Sequence, residues 1–399
     1  MERKKIKDLV NVYNNQRIPL SANQRASLEK IYPYYGAQGI VDNFIFDGKY
    51  ILVAEDVENL RSNKLNICNL VDGKFWVNNH AHILAANDEN VTEYLYYNFN
   101  KIKFEPYITG SAQPKLNKEN LLNIETFVHS KSEQQKIAQV LSTLDRKIAL
   151  NQQINAELEK MAKTLYDYWF VQFDFPDENG NPYKSSGGEM VYHPELKREV
   201  PKGWGRKTIG DYCKSTGGYA FKSSEWVESG NPVIKIKNIQ EDGSLNISDI
   251  DFVDLSNKTI DEKFKGNVGD IVIAMTGATI GKFAIIPKTD SDLYVNQRVG
   301  VFKLSAVEKL PFLINTLSQD YFRKSIIELS SGAAQPNISN EQINNIELIY
   351  PVENIIANFN EKLTASYKQI IQKRYETQKL IQLRDFLLPM LMNGQVEVV

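Results

Sequence analysis

Asn78-Asn79-His80 and Asn296-Gln297-Arg298 occupy matching places in the chain, each just after an aromatic residue and a valine (Trp76-Val77 and Tyr294-Val295). A carboxamide can pair bidentately with adenine and a guanidinium with guanine, so these types suit the edge of a nucleobase. Asn78 and Asn296 recur, which fits a turn in which they satisfy backbone groups. The pairs that differ, Asn79/His80 and Gln297/Arg298, are the better base-reading candidates, because two copies reading different sequences must differ there. Lys235, Lys237 and Asn238 alternate along a predicted strand, Val233–Ile239, with one face offered either to phosphate or to solvent. Lys115 follows a loop with Gly110, Ser111 and Gln113, which returns later as Gly332 and Gln335. These near-identical loops either set a backbone geometry or touch phosphate or a protein partner.

Other constellations are weaker. His80-Ala-His82 has metal-ligand spacing on a strand, but no cysteine or third ligand stands near it, so no metal is expected. Pro176-Asp177 with Glu195-Leu-Lys197 matches a nuclease string, yet it lies in a stretch rich in Pro and Gly, where the carboxylates are not expected to converge on Mg²⁺. Asn181-Pro-Tyr183 is one proline short of the loop that grips an amino group in methyltransferases. Neither a dinucleotide fingerprint nor a Walker A string occurs. The chain is expected to catalyse nothing.

The elements that must position these residues come in two copies. Gly110-Ser-Ala-Gln-Pro114 recurs as Gly332-Ala-Ala-Gln-Pro336, an offset of 332 − 110 = 222, and the match runs on without a gap to Glu125 and Glu347. So long a period denotes a duplicated module rather than a solenoid. Each copy reads as a mixed globular domain followed by a long helix. Asp47-Gly48 and Asp72-Gly73 are turn signals beside the apolar runs 50–53 and 75–77. Ser132-x-x-Gln135 is a capping box opening a helix with Ile137, Leu141, Leu144 and Ile148 on one stripe. The stripe is expected to slip at 151–155 and to resume at Leu158, Met161, Leu165 and Tyr168. The second helix carries Ile356, Phe359, Leu363, Ile370, Leu380 and Leu387. Rods of about 55–60 Å follow at 1.5 Å per residue. They bury their stripes most simply against each other, antiparallel. The expected fold is α+β: two globular domains related by a pseudo-twofold axis and joined by two long antiparallel coiled-coil helices. The expected boundaries are domain 1–130, helix 131–175, linker 176–203, domain 204–351 and helix 352–399.

Bulk properties suit this plan. The chain has 399 residues, 42% apolar and 24% charged, with two cysteines and a net charge of −2. It is ordinary globular protein for a reducing cytoplasm, with no transmembrane run or secretory leader expected. Near-neutrality argues against a non-specific DNA binder and leaves room for a coiled-coil adaptor with protein-binding ends.

The ordered set Arg17-Ile-Pro-Leu-Ser21, Tyr34-Tyr-Gly-Ala-Gln-Gly-Ile-Val41, Gly73-Lys-Phe-Trp-Val-Asn-Asn-His-Ala-His82, Gly110–Pro114, Trp169–Pro176, Pro201-Lys-Gly-Trp204, Gly269–Gly281 and Val295-Asn-Gln-Arg298 resembles the DNA-specificity subunit of Type I restriction–modification systems, over essentially the whole chain. The resemblance implies two target-recognition domains, each reading half of a bipartite double-stranded DNA site, with the helices as a ruler for the spacer. It implies partners: two methyltransferase subunits and restriction–translocase subunits. S-adenosylmethionine, ATP and Mg²⁺ would then serve those chains, with no cofactor in this one.

Overall fold

The computed structural model describes residues 1–36, 39–55, 67–110, 115–195, 197–330 and 336–398. They form two compact units, Met1–Ile148 with Leu380–Val399, and Ala149–Lys379.

In the first unit, strand Glu2–Lys5 pairs antiparallel with Glu125–Val128, just ahead of the long helix. A four-stranded sheet runs in the order Val10–Val12, Ala81–Ala86, Tyr50–Ala54, Cys68–Val71. A second runs Gly39–Val41, Tyr32–Tyr35, Lys74–Val77, Phe46–Asp47, and its middle pair is parallel. Both Asp-Gly turns form, and their glycines bond to each other across the backbone, Gly48 N to Gly73 O at 3.0 Å and the reverse at 3.1 Å. The run Ile51-Leu-Val53 is apolar throughout because its strand is covered on both faces. Ile51 and Val53 join the core with helix Thr92–Asn100 and the long helix, while Leu52 joins Phe75, Val77 and Ile83.

The second unit repeats this plan with one added edge strand, Trp226–Val227, in its second sheet. Gly205–Thr208 pairs with Glu347–Tyr350. One sheet runs Ser215–Gly217, Val299–Phe302, Ile271–Ala274, Phe283–Ile285. The other contains the parallel pair Asn231–Ile234 and Leu293–Val295. Ile271 and Ile273 face one core, Val272 and Ala274 the other. The fold is therefore α+β, with the duplication carried by topology as well as sequence. The stretch 176–203, expected as linker, carries a hairpin of Met190–His193 and Arg198–Pro201. It packs beside Phe173, Phe175 and Trp204, with Phe175 stacked between Tyr183 and Trp204.

The first long helix spans Lys131–Tyr166 and continues into a π-helical turn, Asp167–Val171. Its cap lies two residues before the expected one. Ser130 accepts from Glu133 N at 3.5 Å, and the Glu133 carboxylate accepts from Ser130 N at 3.0 Å. The Ser130 hydroxyl also donates to that carboxylate, at 2.7 Å, and this bond with the one from Ser130 N holds the Glu133 carboxyl below its ordinary range. The expected slip of the stripe does not occur. Ile137, Leu141, Leu144, Ile148, Asn151, Asn155, Leu158, Ala162, Leu165 and Trp169 are buried or half-buried at unbroken heptad steps, two of them filled by asparagine, whereas Met161 and Tyr168 are exposed. The second helix spans Glu353–Met392 and contains Pro389. Its Ile356, Phe359, Leu363 and Ile370 are buried, and Leu380 and Leu387 half-buried.

Within each unit the two helices run antiparallel. In the first, Ile137 and Leu141 share a core with Leu391 and Met392, and Arg384 pairs with Asp145 at 2.9 Å. In the second, Tyr166 and Trp169 pack on Phe359, Asn151 donates to Glu376 at 3.1 Å, and Arg374 pairs with Glu159 at 2.8 Å. Both cysteines are unpaired and buried.

Candidate nucleic-acid interface

The parallel strand pair of each unit ends in the same tight turn. In the first unit Asn78 N donates to Tyr35 O at 3.1 Å, and the Asn78 carboxamide oxygen accepts from His80 N at 2.8 Å. In the second, Asn296 N donates to Ile234 O at 3.0 Å, and its carboxamide oxygen accepts from Arg298 N at 3.4 Å. This is the local side-chain-to-backbone bond that asparagine makes readily in turns. It makes Asn78 and Asn296 structural, as their recurrence suggested. Gly36 has φ +87°, and a side chain there would collide with the Asn78 carboxamide, so the turn needs glycine beside it.

The turn leaves the next two side chains outward. Asn79, His80, Gln297 and Arg298 are all exposed. The turn is locked by backbone bonds. Glu55 N donates to His80 O at 2.9 Å in one unit, and Met275 N to Arg298 O at 3.1 Å in the other. Those two donors follow equivalent strands, and their own carbonyls accept from Leu116 N and Ile338 N, both at 3.0 Å. The repeated stretch that opens at Gly110 and Gly332 is thereby tied to the turn in both copies.

His80 and His82 do not share a face, because the turn intervenes before the strand begins at Ala81. His82 is buried. Its Nδ1 accepts from the Asn14 carboxamide at 2.9 Å, and its Nε2 donates to Leu116 O at 2.7 Å. Burial holds its pKa below the ordinary value. It is a core histidine with both nitrogens occupied. Among the described residues no group of His, Cys, Asp and Glu gathers to hold a metal.

The Lys235–Asn238 candidates fare differently from expectation. The strand ends at Ile234, and a 3₁₀ turn, Ile236–Asn238, replaces the expected alternation. Asn238 is buried. It accepts from Lys235 N at 2.8 Å and donates to Asn246 O and Asp249 O at 3.0 and 2.9 Å, which commits its donors and acceptor to the fold and removes it from base reading. Lys235 lies over the Trp226 ring and pairs with Asp251 at 2.7 Å. Lys237 pairs with Asp251 and Asp249 at 2.9 and 3.2 Å, and the Asp251 bond raises its pKa. Both ammonium charges are thus matched by carboxylates of the same unit.

Gly110 adopts φ +94°, and Lys115 closes its loop through a two-way backbone bridge with Thr109, 2.8 and 2.9 Å. Ser111, Gln113, Gly332 and Gln335 lie outside the described residues. The nuclease-like string does not converge: Asp177 accepts from the backbone of Asn179 and Asn181, while Glu195 pairs with Arg206 at 3.1 Å. Sequence reasoning assigned no contact to Arg17 and Glu55, which touch the Asn79–Ala81 backbone. Each stands alone in sequence, with its partners far along the chain.

Two modules of one topology, each presenting a structurally fixed turn with different outward side chains and each ending in a long helix, define a duplicated recognition protein. Comparison with known proteins agrees. The family model for the Type I restriction modification DNA specificity domain matches residues 1–160 and 201–379, and the chain belongs to that family. It is similar to the Type I restriction enzyme MjaIX specificity subunit of Methanocaldococcus jannaschii, 28% identical over 79% of this chain and 71% of the relative. It is also similar to the HindI specificity subunit of Haemophilus influenzae, 25% identical over 88% and 84%. A crystal structure of a Type I restriction–modification S subunit from M. genitalium shares the fold, with TM-score 0.63 and 18% identity over 98% of this chain and 95% of that one. The chain is a DNA specificity subunit, whose task is sequence choice rather than catalysis, and this decides against the adaptor reading. No helix among the described residues is long and apolar enough to cross a membrane.

Proposed function

We propose that the chain reads a bipartite DNA target, one half through the turn bearing Asn79 and His80 and the other through the turn bearing Gln297 and Arg298. The observation that carries this is the pair of equivalent turns: the same backbone bonds, the same structural asparagine, and different exposed side chains. Adenine methylation requires the base to be flipped into an enzyme pocket, so a non-catalytic reader must seat that enzyme beside the site. Two methyltransferase subunits are the proposed partners, joined by restriction–translocase subunits. S-adenosylmethionine, ATP and Mg²⁺ chemistry is assigned to those chains. A net charge of −2 fits this division, since partners then supply much of the phosphate contact. The long helices, 36 and 40 residues, are about 54 and 60 Å of helix. They serve as the ruler that fixes the spacer.

Methylation mapping in cells that express the chain with its methyltransferase subunit tests the reading. One split motif with a fixed spacer is expected. A single continuous motif overturns the assignment of one half-site to each unit.

A further inference from the structure

The turn bearing Asn79 and His80 is held by a side chain that its counterpart lacks. Arg17 Nη1 reaches Asn79 O at 3.2 Å, Ala81 O at 2.9 Å and the Glu55 carboxylate at 3.1 Å, and Arg17 Nε donates to Asn14 O at 2.9 Å. Glu55 N takes the carbonyl between them, that of His80, at 2.9 Å. Three successive carbonyls, 79 to 81, are therefore gripped by one arginine and its ion-pair partner. The pair is largely shielded, with side-chain exposures of 19% and 22%. A shielded, charge-assisted contact with fixed geometry constrains position more than a surface pair does.

The second unit solves the same problem without charge. Ile18 N and Tyr219 N donate to the equivalent carbonyls Val77 O and Val295 O, so Gly218 stands where Arg17 does. Glu55 and Met275 each make the bond to the residue two after the structural asparagine, so Met275 stands where Glu55 does. Gly218 lies so close to the backbone of Val295 and Asn296 that any side chain there would collide. Contact between backbones replaces the brace.

We propose that Arg17, paired with Glu55, is a positioning residue that sets how Asn79 and His80 are presented to DNA, and that it acts on one half-site only. This rests on the proposed reading that those two residues face the first half-site.

The test uses the chain in complex with its methyltransferase subunit and maps methylation genome-wide. His80→Ala and Asn79→Ala identify the first half-site as the one they loosen. Arg17→Met is expected to lower discrimination at that half-site about tenfold, within the range set by one base-pair mismatch. The second half-site should keep its wild-type stringency. Because Arg17→Met strands the Glu55 carboxylate, the double variant Arg17→Met/Glu55→Met, which removes that charge and puts methionine where Met275 stands in the second unit, is measured beside it. It should melt near wild type and still read the first half-site loosely. If both half-sites loosen together, or if the well-folded double variant reads both as wild type does, the positioning role is overturned. If neither His80→Ala nor Asn79→Ala alters either half-site, it is the proposed reading by the turn that fails.

Discussion

Arg298→Ala isolates a side chain from the turn that carries it. The two bonds that hold this residue are made by its backbone: the carbonyl accepts from Met275 N at 3.1 Å and the amide donates to the Asn296 carboxamide at 3.4 Å. Truncation beyond Cβ leaves both in place, and the side chain is exposed, so stability should change by no more than ~0.5 kcal/mol. What is lost is the contact with DNA. A bidentate arginine–guanine pair contributes about 1–3 kcal/mol of discrimination. At 1.4 kcal/mol per tenfold, that is a rise in Kd of roughly 5- to 150-fold on the cognate sequence. The assay is a competition gel shift of the methyltransferase-bound complex at fixed salt, on cognate duplex and on duplexes altered one base pair at a time in the second half-site. The variant should lose affinity for cognate DNA while binding the duplex altered at one guanine as wild type does, since wild type has already lost that contact there. A uniform loss on every duplex, with the salt slope reduced by about one, would mean that Arg298 touches phosphate. That result, or no change on any duplex, refutes base reading at this position.

Stability of the first unit should fall on acidification. His82 is neutral in the fold, with its folded pKa below the ordinary 6.5, so its contribution is complete above that value and is lost as pH drops toward the folded pKa. Urea midpoints at pH 7.5 and 5.5 measure this, and His82→Asn should shrink the difference; an undiminished difference in the variant refutes it. In the heptad seam, Asn155 is buried with its carboxamide oxygen unpartnered, and Asn155→Leu should stabilise the second unit by about 1–2 kcal/mol, or roughly 2–8 °C in Tm. A lower melting temperature would show that the oxygen is satisfied after all.

The parts of the fold that were legible in sequence are those where the physics is local or periodic. The repeat stood out from Gly110 to Glu125 because the segment is a capped short helix and a strand, Lys118–Asn123 and Glu125–Val128, whose second copy is Asn340–Asn344 and Glu347–Tyr350. Elsewhere the copies keep burial more than identity, as Ile51-Leu-Val53 and Ile271-Val-Ile273 do, with only the isoleucine shared. Two departures from the expected periodicity trace to asparagine. Ile234-Lys-Ile-Lys237 alternates like a strand, yet the Asn238 carboxamide accepts from Lys235 N and turns the chain. The seam seemed to slip at 151–155 because asparagine holds heptad positions that hydropathy counts as empty.

The brace on the first turn was illegible for a different reason. Arg17 meets Glu55, Asn79 and Ala81 at separations of 38, 62 and 64 residues, so nothing near it in sequence announces a partner. Nor could the repeat reveal it, since Gly218 and Met275 stand at the equivalent places. The two copies hold one backbone geometry by different means, an ion pair in one and close backbone packing in the other. Supports of this kind can diverge between copies only if a change at one supporting position is matched by a change at the other. The pairs Arg17/Gly218 and Glu55/Met275 are that match, and Asn79/His80 against Gln297/Arg298 is what the shared geometry is free to vary.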